Sequence, residues 1–188
     1  MITTEAPPRP SRLRRRLARV ALAALGALAL FVIAGVPLYV LPVVDEPRPV
    51  DAVLVLGPTN EAKLQTAQRL LEEGLADTLV LSTPIGEFAE FCAAEHDFEV
   101  LCFRPSPSTT QGEARELGTL AEARGWDSAM VIAMTPHITR ARMIVERCFD
   151  GELAMISDGA ALSLTEWVGQ YIYQTGAFVK AFTVTPTC

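Results

Sequence analysis

Between Arg19 and Asp45 the chain carries no charged side chain, reading VALAALGALALFVIAGVPLYVLPVV from Val20 to Val44. Few structures accommodate such a run. A bilayer core takes roughly 20 apolar residues in a helix, so the segment is long enough to span a membrane. The rival is a cleaved secretory signal, whose apolar part is typically ~7–15 residues before a small-residue cleavage site. Here the stretch is longer, and Leu38, Tyr39, Val40 and Leu41 fill its far end. A buried core helix is the third alternative. The expected organisation is a basic tail over 1–19, a transmembrane anchor over 20–44, a linker over 45–50 and a folded domain over 51–188. Pro47 and Pro49 stiffen the linker and oppose helix there.

Charge orients the anchor. Six arginines (Arg9, Arg12, Arg14, Arg15, Arg16 and Arg19) precede the run beside one acid, Glu5, while Asp45 and Glu46 follow it. The positive-inside tendency predicts a cytoplasmic N-terminus and an extracytoplasmic domain, in a single-pass protein of the plasma membrane. Beyond residue 19 the chain holds ten basic and twenty-one acidic side chains. A body that acidic excludes a general nucleic-acid binder, because phosphate contacts need a basic surface. Half of the residues are hydrophobic and 20% are charged, which excludes a disordered chain.

Cys92, Cys102, Cys148 and Cys188 all lie beyond the run, where an oxidising compartment lets disulfides persist. Four cysteines allow three connectivities. The favoured one joins Cys92 to Cys102, clipping a helix end to the next strand, and Cys148 to Cys188, tying down the last residues. Four buried thiols are the alternative. No C-x-x-C or paired-His spacing suggests zinc.

After the linker, apolar runs alternate with amphipathic stretches. Strands are expected over 52–56, 78–82, 98–103, 129–133 and 153–156. Helices are expected over 60–73, 87–94, 110–124, 138–148 and 162–179. Gly74 and Gly125 stop two of the helices. Ala52-Val53-Leu54-Val55-Leu56 is apolar at every position, the mark of a strand buried on both faces. Strands alternating with helices predict βαβ units: an α/β, doubly wound, Rossmann-like parallel sheet with helices on both faces, preceded by one transmembrane helix. Ligands in such sheets bind beyond the carboxyl ends of the strands. That rule selects four loops: 57–60, 82–86, 104–111 and 135–140.

In the third loop Ser108, Thr109 and Thr110 are natural N-caps, and Thr110 with Glu113 has capping-box spacing. The same hydroxyls and free N–H groups can instead receive an anion, with Arg104 adding charge. In the fourth, Thr135 precedes His137 at a helix start, with Arg140 a turn further on. Together these two can serve a leaving group and an oxyanion. The bland alternative is helix capping by His137 and solvation of the arginines. His96, in Glu-His-Asp, reads as a solvated loop residue. In the first loop Asn60 precedes a helix with Lys63 in its first turn. The lone Gly57 is neither a dinucleotide fingerprint nor a P-loop, so no cofactor is specified. No G-x-S-x-G elbow occurs. Trp167, Tyr171 and Phe178 read as sheet-covering residues of the last helix.

Three segments together resemble the YdcF-like domain family, which includes SanA- and ElyC-like envelope proteins. They are Asp51-Ala-Val-Leu-Val-Leu-Gly57 with Lys63, Ala67, Leu70 and Gly74; Thr109-Thr110-Gln111-Gly112-Glu113-Ala114; and His137-Ile138-Thr139-Arg140-Ala141. The resemblance covers about residues 50–157. It implies a Rossmann-like fold, single-span anchoring and a role in the cell envelope and its peptidoglycan barrier, with no agreed reaction. The chain departs from the pattern at Ala133-Met134, where many members have Thr-Ser, and at Ser82-Thr83-Pro84, where many have Ser-Gly-Gly. The family's Glu-Asn is shifted to Gly112-Glu113.

The resulting expectation is a site for an anionic, phosphate-bearing metabolite or lipid-linked envelope ligand. Arg104, Thr109 and Thr110 hold the anion, Asn60, Lys63, Glu113 and Thr135 flank it, and His137 and Arg140 act at the reacting group. Two alternatives stay open: a non-catalytic envelope-integrity factor, and a binder of a nucleotide-like cofactor in the Rossmann crevice. The residues do not decide whether the protein is an enzyme.

Overall fold

The computed structural model describes residues 12–82 and 87–188, divided between a compact unit ending at Val36 and a second over Pro37–Cys188. The first unit is the helix α1, Arg12–Gly35. It belongs to a continuous helical stretch, Arg12–Val40, which contains an 18-residue window of mean hydropathy 2.4 and is long and apolar enough to cross a membrane. A short π-helical turn, Val36–Val40, ends that stretch.

The second unit is an α/β fold. Its strands are β1 (Ala52–Val55), β2 (Thr78–Ser82), β3 (Glu99–Phe103), β4 (Ser128–Ala133) and β5 (Glu152–Ser157). They form one sheet in the order β3-β2-β1-β4-β5. Every pair is parallel, with Val53 opposite Leu79 on one side and Met130 on the other. The helices are α2 (Glu61–Glu72), α3 (Glu87–Ala93), α4 (Thr110–Arg124), α5 (Ile138–Val145) and α6 (Leu164–Thr183).

The side-chain alternation of β1 builds two cores. Val53 and Val55 meet Leu64, Ala67 and Leu70 of α2 and Phe88 of α3 on one face. Ala52 and Leu54 meet Ala114 and Leu117 of α4, Ile138 and Ala141 of α5 and Ala181 of α6 on the other. Both faces of β1 are therefore dry, which is why its sequence is apolar at every position. Strand order runs outward from β1 to β3 and then restarts at β4. The carboxyl ends of β1 and β4 thus lie side by side where the winding reverses, the usual crevice of such sheets.

Three expected boundaries move by more than one residue. A capping box between Ser163 and Glu166 starts the last helix at Leu164. That helix continues past residue 179 to Thr183, where Pro186 opposes further helix. The fourth-loop helix ends at Val145, and its last turn tightens, with Cys148 N donating to the Val145 carbonyl. Residues 45–50 are not a free linker. Asp45 Oδ2 accepts from Met155 N at 2.7 Å and from Arg142 at 2.7 Å, and Val50 N donates to the Leu75 carbonyl. Burial pushes the Asp45 carboxyl up, but the Met155 N–H, Arg142 and Arg48 together outweigh it and hold the group below its usual range.

Both favoured disulfides are present, Cys92–Cys102 and Cys148–Cys188. The second closes a span of 40 residues. Gln111 and Arg115 of α4 add hydrogen bonds to the Thr187 and Cys188 carbonyls, pinning these last residues beside the start of α4.

Candidate functional site

Four chain segments meet at the carboxyl ends of β1 and β4. The Gly57 turn follows β1, α4 begins after β3, residues 135–140 follow β4, and α6 crosses from the far end of the chain. They enclose a cavity of about 830 Å³, a size common for small-molecule sites.

The turn after β1 is held by α4. Gly57 N donates to Glu113 Oε1 at 2.6 Å. A side chain at residue 57 would crowd this contact, since a Cβ there would lie 3.1 Å from Glu113 Oε1 and 3.3 Å from Ser82 Oγ. Glu113 is 3% exposed. Burial pushes its carboxyl up, against the opposing pull of the Ser82 hydroxyl, Gly57 N–H, Lys63 and Arg140. A second glycine brings the third loop inward, because the Pro107 carbonyl occupies the space that a Cβ of Gly112 would need.

Lys63 is buried beneath the cavity and does not line it. Its Nζ donates to the Leu56 carbonyl at 2.9 Å and to the Pro58 carbonyl at 2.7 Å. Burial lowers its pKa, and the charges of Asp158 and Glu113 partly restore it. Lys63 therefore organises the turn and supplies buried positive charge, while its ammonium contacts backbone. Asn60 is exposed, and its Oδ1 accepts from Lys63 N at 2.9 Å, the bland capping role.

After β4, a short 3-10 turn over Thr135–His137 leads into α5. Thr135 Oγ1 shares a hydrogen bond with Ser157 Oγ at 2.8 Å at the end of β5, off the cavity wall. His137 lies under Thr110, and their Nε2 and Oγ1 atoms are 3.3 Å apart. The imidazole is buried, and its Nδ1 has no partner among the described residues. Burial above all, and then Arg140 and Lys63, push its pKa well below the ordinary 6.5. At neutral pH His137 is thus uncharged. It fits a proton acceptor or hydrogen-bond partner, and the leaving-group acid expected of it would require an imidazolium that this environment disfavours.

Arg140 lines the cavity although it is only 7% exposed. Its Nε donates to Gln174 Oε1 at 2.9 Å, and its guanidinium lies 5.9 Å from the Tyr173 ring centroid. Gln174 is 1% exposed, a polar group buried in α6 to orient the arginine. Burial lowers the Arg140 pKa, opposed by Tyr173 and Glu113, and the guanidinium stays cationic at neutral pH. Arg104 is an exposed residue of the wall with no hydrogen bond or ion pair among the described residues, and Lys180 of α6 lies on the same wall.

Of the residues singled out from sequence, Arg104, Thr109, Thr110, Glu113 and Arg140 therefore share one cavity wall, with Lys63 and His137 packed behind it. Asn60 and Thr135 are engaged in local hydrogen bonds. Thr109 does both, capping α4 through a 3.3 Å hydrogen bond from Gly112 N while lining the cavity. Thr83, Pro84 and the rest of 83–86 lie outside the described residues. His96 is half-buried between the Phe91 and Phe98 rings, 4.3 and 5.3 Å away, and is not a free loop residue.

Sequence reasoning missed Asp158, Tyr173, Gln174 and Lys180. Asp158 follows β5, is 7% exposed, and leaves Oδ2 without a partner among the described residues. Its signal was position, since it stands at the carboxyl end of a strand like the four loops selected. Gln174 had a signal too, being a polar residue within an apolar helix. No protein-family model matches the chain, and no curated protein or solved structure matches it either.

Proposed function

We propose that this protein is a membrane-anchored, YdcF-like envelope protein whose outward-facing domain binds a phosphate-bearing, cell-wall-related metabolite. The observation that carries this reading is the charge of one cavity. Its wall holds Arg104, Arg140 and Lys180 against the single acid Glu113, in a body where acids outnumber bases two to one. The first-turn N–H groups of α4 and the hydroxyls of Thr109 and Thr110 add neutral donors. Arginines, Arg140 fixed by Gln174 and Arg104 uncommitted, hold phosphate oxygens with charge-assisted bonds. The ordered motifs support the family assignment, and the arginines that precede the apolar run support the outward orientation.

For hydrolysis of a phosphate ester, an attacking water must lose a proton as the new P–O bond forms. The ester P–O bond breaks, and the leaving alkoxide or phenolate departs to solvent, which protonates it where needed. Neutral His137, in contact with Thr110, is suited to accept the water's proton. Burial of His137 behind Thr110, together with Ala133-Met134 before the turn, favours a second reading in which the site binds without reacting.

The test uses the full-length protein in detergent micelles, with pyrophosphate as binding probe and p-nitrophenyl phosphate as ester. Wild-type protein is expected to bind pyrophosphate. Arg104→Ala should weaken binding about tenfold, the worth of one charge-assisted contact. Folding stability should change by less than about 0.5 kcal/mol, because Arg104 is a surface residue. Unchanged affinity in Arg104→Ala and Arg140→Ala overturns the phosphate site. Ester turnover lost in His137→Ala with binding retained supports catalysis. Binding with no turnover in the wild type supports the second reading.

A further inference from the structure

We infer that the outer face of α6 docks into the membrane interface, so that the domain lies on the bilayer through this helix. The helix has 20 residues and only two charged side chains, Glu166 and Lys180. Leu164, Val168, Ile172, Val179 and Phe182 are 81, 55, 69, 60 and 61% exposed. Helical spacing puts all five on one face, with Thr165, Gly169, Thr175, Gly176 and Thr183 among or beside them. The helix places no charge of its own there, and the Arg147 guanidinium lies 5.9 Å from the Phe182 ring centroid at its edge. Glu166 and Lys180 fall outside that face, on the side carrying Tyr173. A contiguous apolar face of this kind marks an interaction surface.

The edge of this face at Tyr171 and Thr175 identifies the occupant. Tyr39, 4% exposed, packs edge-on against Tyr171 with ring centroids 5.0 Å apart and shares a 3.0 Å hydrogen bond with Thr175. A helix that enters the hydrocarbon at Val20, just after Arg19, needs roughly 20 residues to cross, which brings the chain to Tyr39 and Val40. Tyrosine at that depth is the interfacial residue of a span. Whatever packs beside Tyr39 is held at the same depth, and α6 packs there. Leu38, Leu41 and Val43 extend the exposed apolar surface. Interfacial helices bury such a face ~5–10 Å into the boundary between headgroups and acyl chains. The cavity wall formed by Tyr173 and Lys180 then lies at headgroup height. The inference rests on the anchor reading and is independent of what the cavity binds.

The test places full-length protein in phosphatidylcholine vesicles whose acyl chains are brominated near mid-chain, bromine being a contact quencher of tryptophan. Reporters are Ile172→Trp and Val179→Trp, each in a Trp126→Phe, Trp167→Phe background. The reference is Trp167→Phe alone, which keeps Trp126 at the opposite end of the sheet. Both reporter positions are already exposed, so the larger ring needs no repacking, and far-UV circular dichroism confirms the fold of each variant. Brominated lipid is expected to cut the fluorescence of both reporters about two-fold and to leave Trp126 unchanged. Reporters as unquenched as the reference, in protein that resists alkaline carbonate extraction, overturn the docking while the anchor stands. A dimer with unquenched reporters overturns it as well, in favour of a second copy. Release of the wild-type chain by carbonate overturns the anchor reading beneath it.

Discussion

The two ends of the sheet handle charge in opposite ways. At the amino ends Asp51 Oδ2 accepts from Asp127 N at 2.9 Å, Ser128 N at 2.9 Å and Ser128 Oγ at 2.7 Å. These donors, the Ser128 hydroxyl foremost, hold its carboxyl below the usual range, and the group is exposed. Nearby, Arg124 grips both oxygens of Glu99 at 2.6 and 3.0 Å. At the carboxyl ends burial raises Glu113 and lowers Lys63, Arg140 and His137, and His137 Nδ1 and Asp158 Oδ2 stay without partners among the described residues. One end uses its polar groups to close the fold. The other keeps charge in a low-dielectric setting, which costs stability and is the setting in which charge acts on a ligand.

The largest consequence concerns Lys63. Lys63→Ala leaves the Leu56 and Pro58 carbonyls and the nearby carboxylates without their cation, and the expected loss is about 3–5 kcal/mol in chemical denaturation. At the other end Asp51→Ala removes an exposed acceptor whose donors can turn to water, for a loss of about 1 kcal/mol. Equal losses would break the contrast.

Next in size is the dependence on pH. A histidine held below its ordinary 6.5 binds its proton more readily when unfolded, so stability falls as pH drops below 6.5 toward the lowered value. Glu113 has the opposite sign. Raised above 4.5, it stabilises the fold at acid pH and loses that contribution as pH climbs through its raised value. Asp51 is held below 3.8, so its contribution is intact above 3.8 and disappears below it. Stability curves against pH are therefore expected to separate the ends. His137→Gln should flatten the loss below pH 6.5, by about 1.4 kcal/mol for each tenfold by which folding weakens the proton affinity of the imidazole. Asp51→Asn should leave that region unchanged and alter only the most acidic limb. A wild-type curve on which His137→Gln has no effect between pH 6.5 and 5 would place the imidazole in a solvated setting.

Much of this geometry was legible in the residues, for identifiable reasons. Strands buried on both faces have no room for polar positions, so Val53–Leu56 and Met130–Ala133 announce themselves. Parallel strands need helical crossovers, and their carboxyl ends face one way, so His137, Arg140 and Thr110 fall on one rim by chain order alone. What sequence could not assign is how each polar group is used. Lys63 and Asn60 stand on the correct loop, yet backbone partners a few residues away consume them. The Arg140–Gln174 pair joins α5 to α6, and no local pattern announces a contact between helices so separated in the chain. Asp158 escapes notice because β5 is an edge strand with a weak apolar run. The hydrogen bonds of Asp45 to Met155 are hidden by two prolines that read as a spacer.

The smallest expected effect tests the division of labour at the reactive end itself. Asn60 and Arg104 both stand on strand-end loops and both are exposed, but Asn60 Oδ1 is committed to Lys63 N while Arg104 is uncommitted. Asn60→Ala removes a helix cap, for a loss of about 1 kcal/mol of stability. Its pyrophosphate affinity should stay within about two-fold of wild type, because Asn60 is not part of the cavity wall and the alanine leaves that wall unaltered. Arg104→Ala should give the converse, weakened binding with unchanged stability. The crossed pattern matters more than either value. If Asn60→Ala weakens binding as much as Arg104→Ala does, then the position of Lys63 depends on the cap, and the positive charge behind the cavity is transmitted through the first turn of α2 to the ligand.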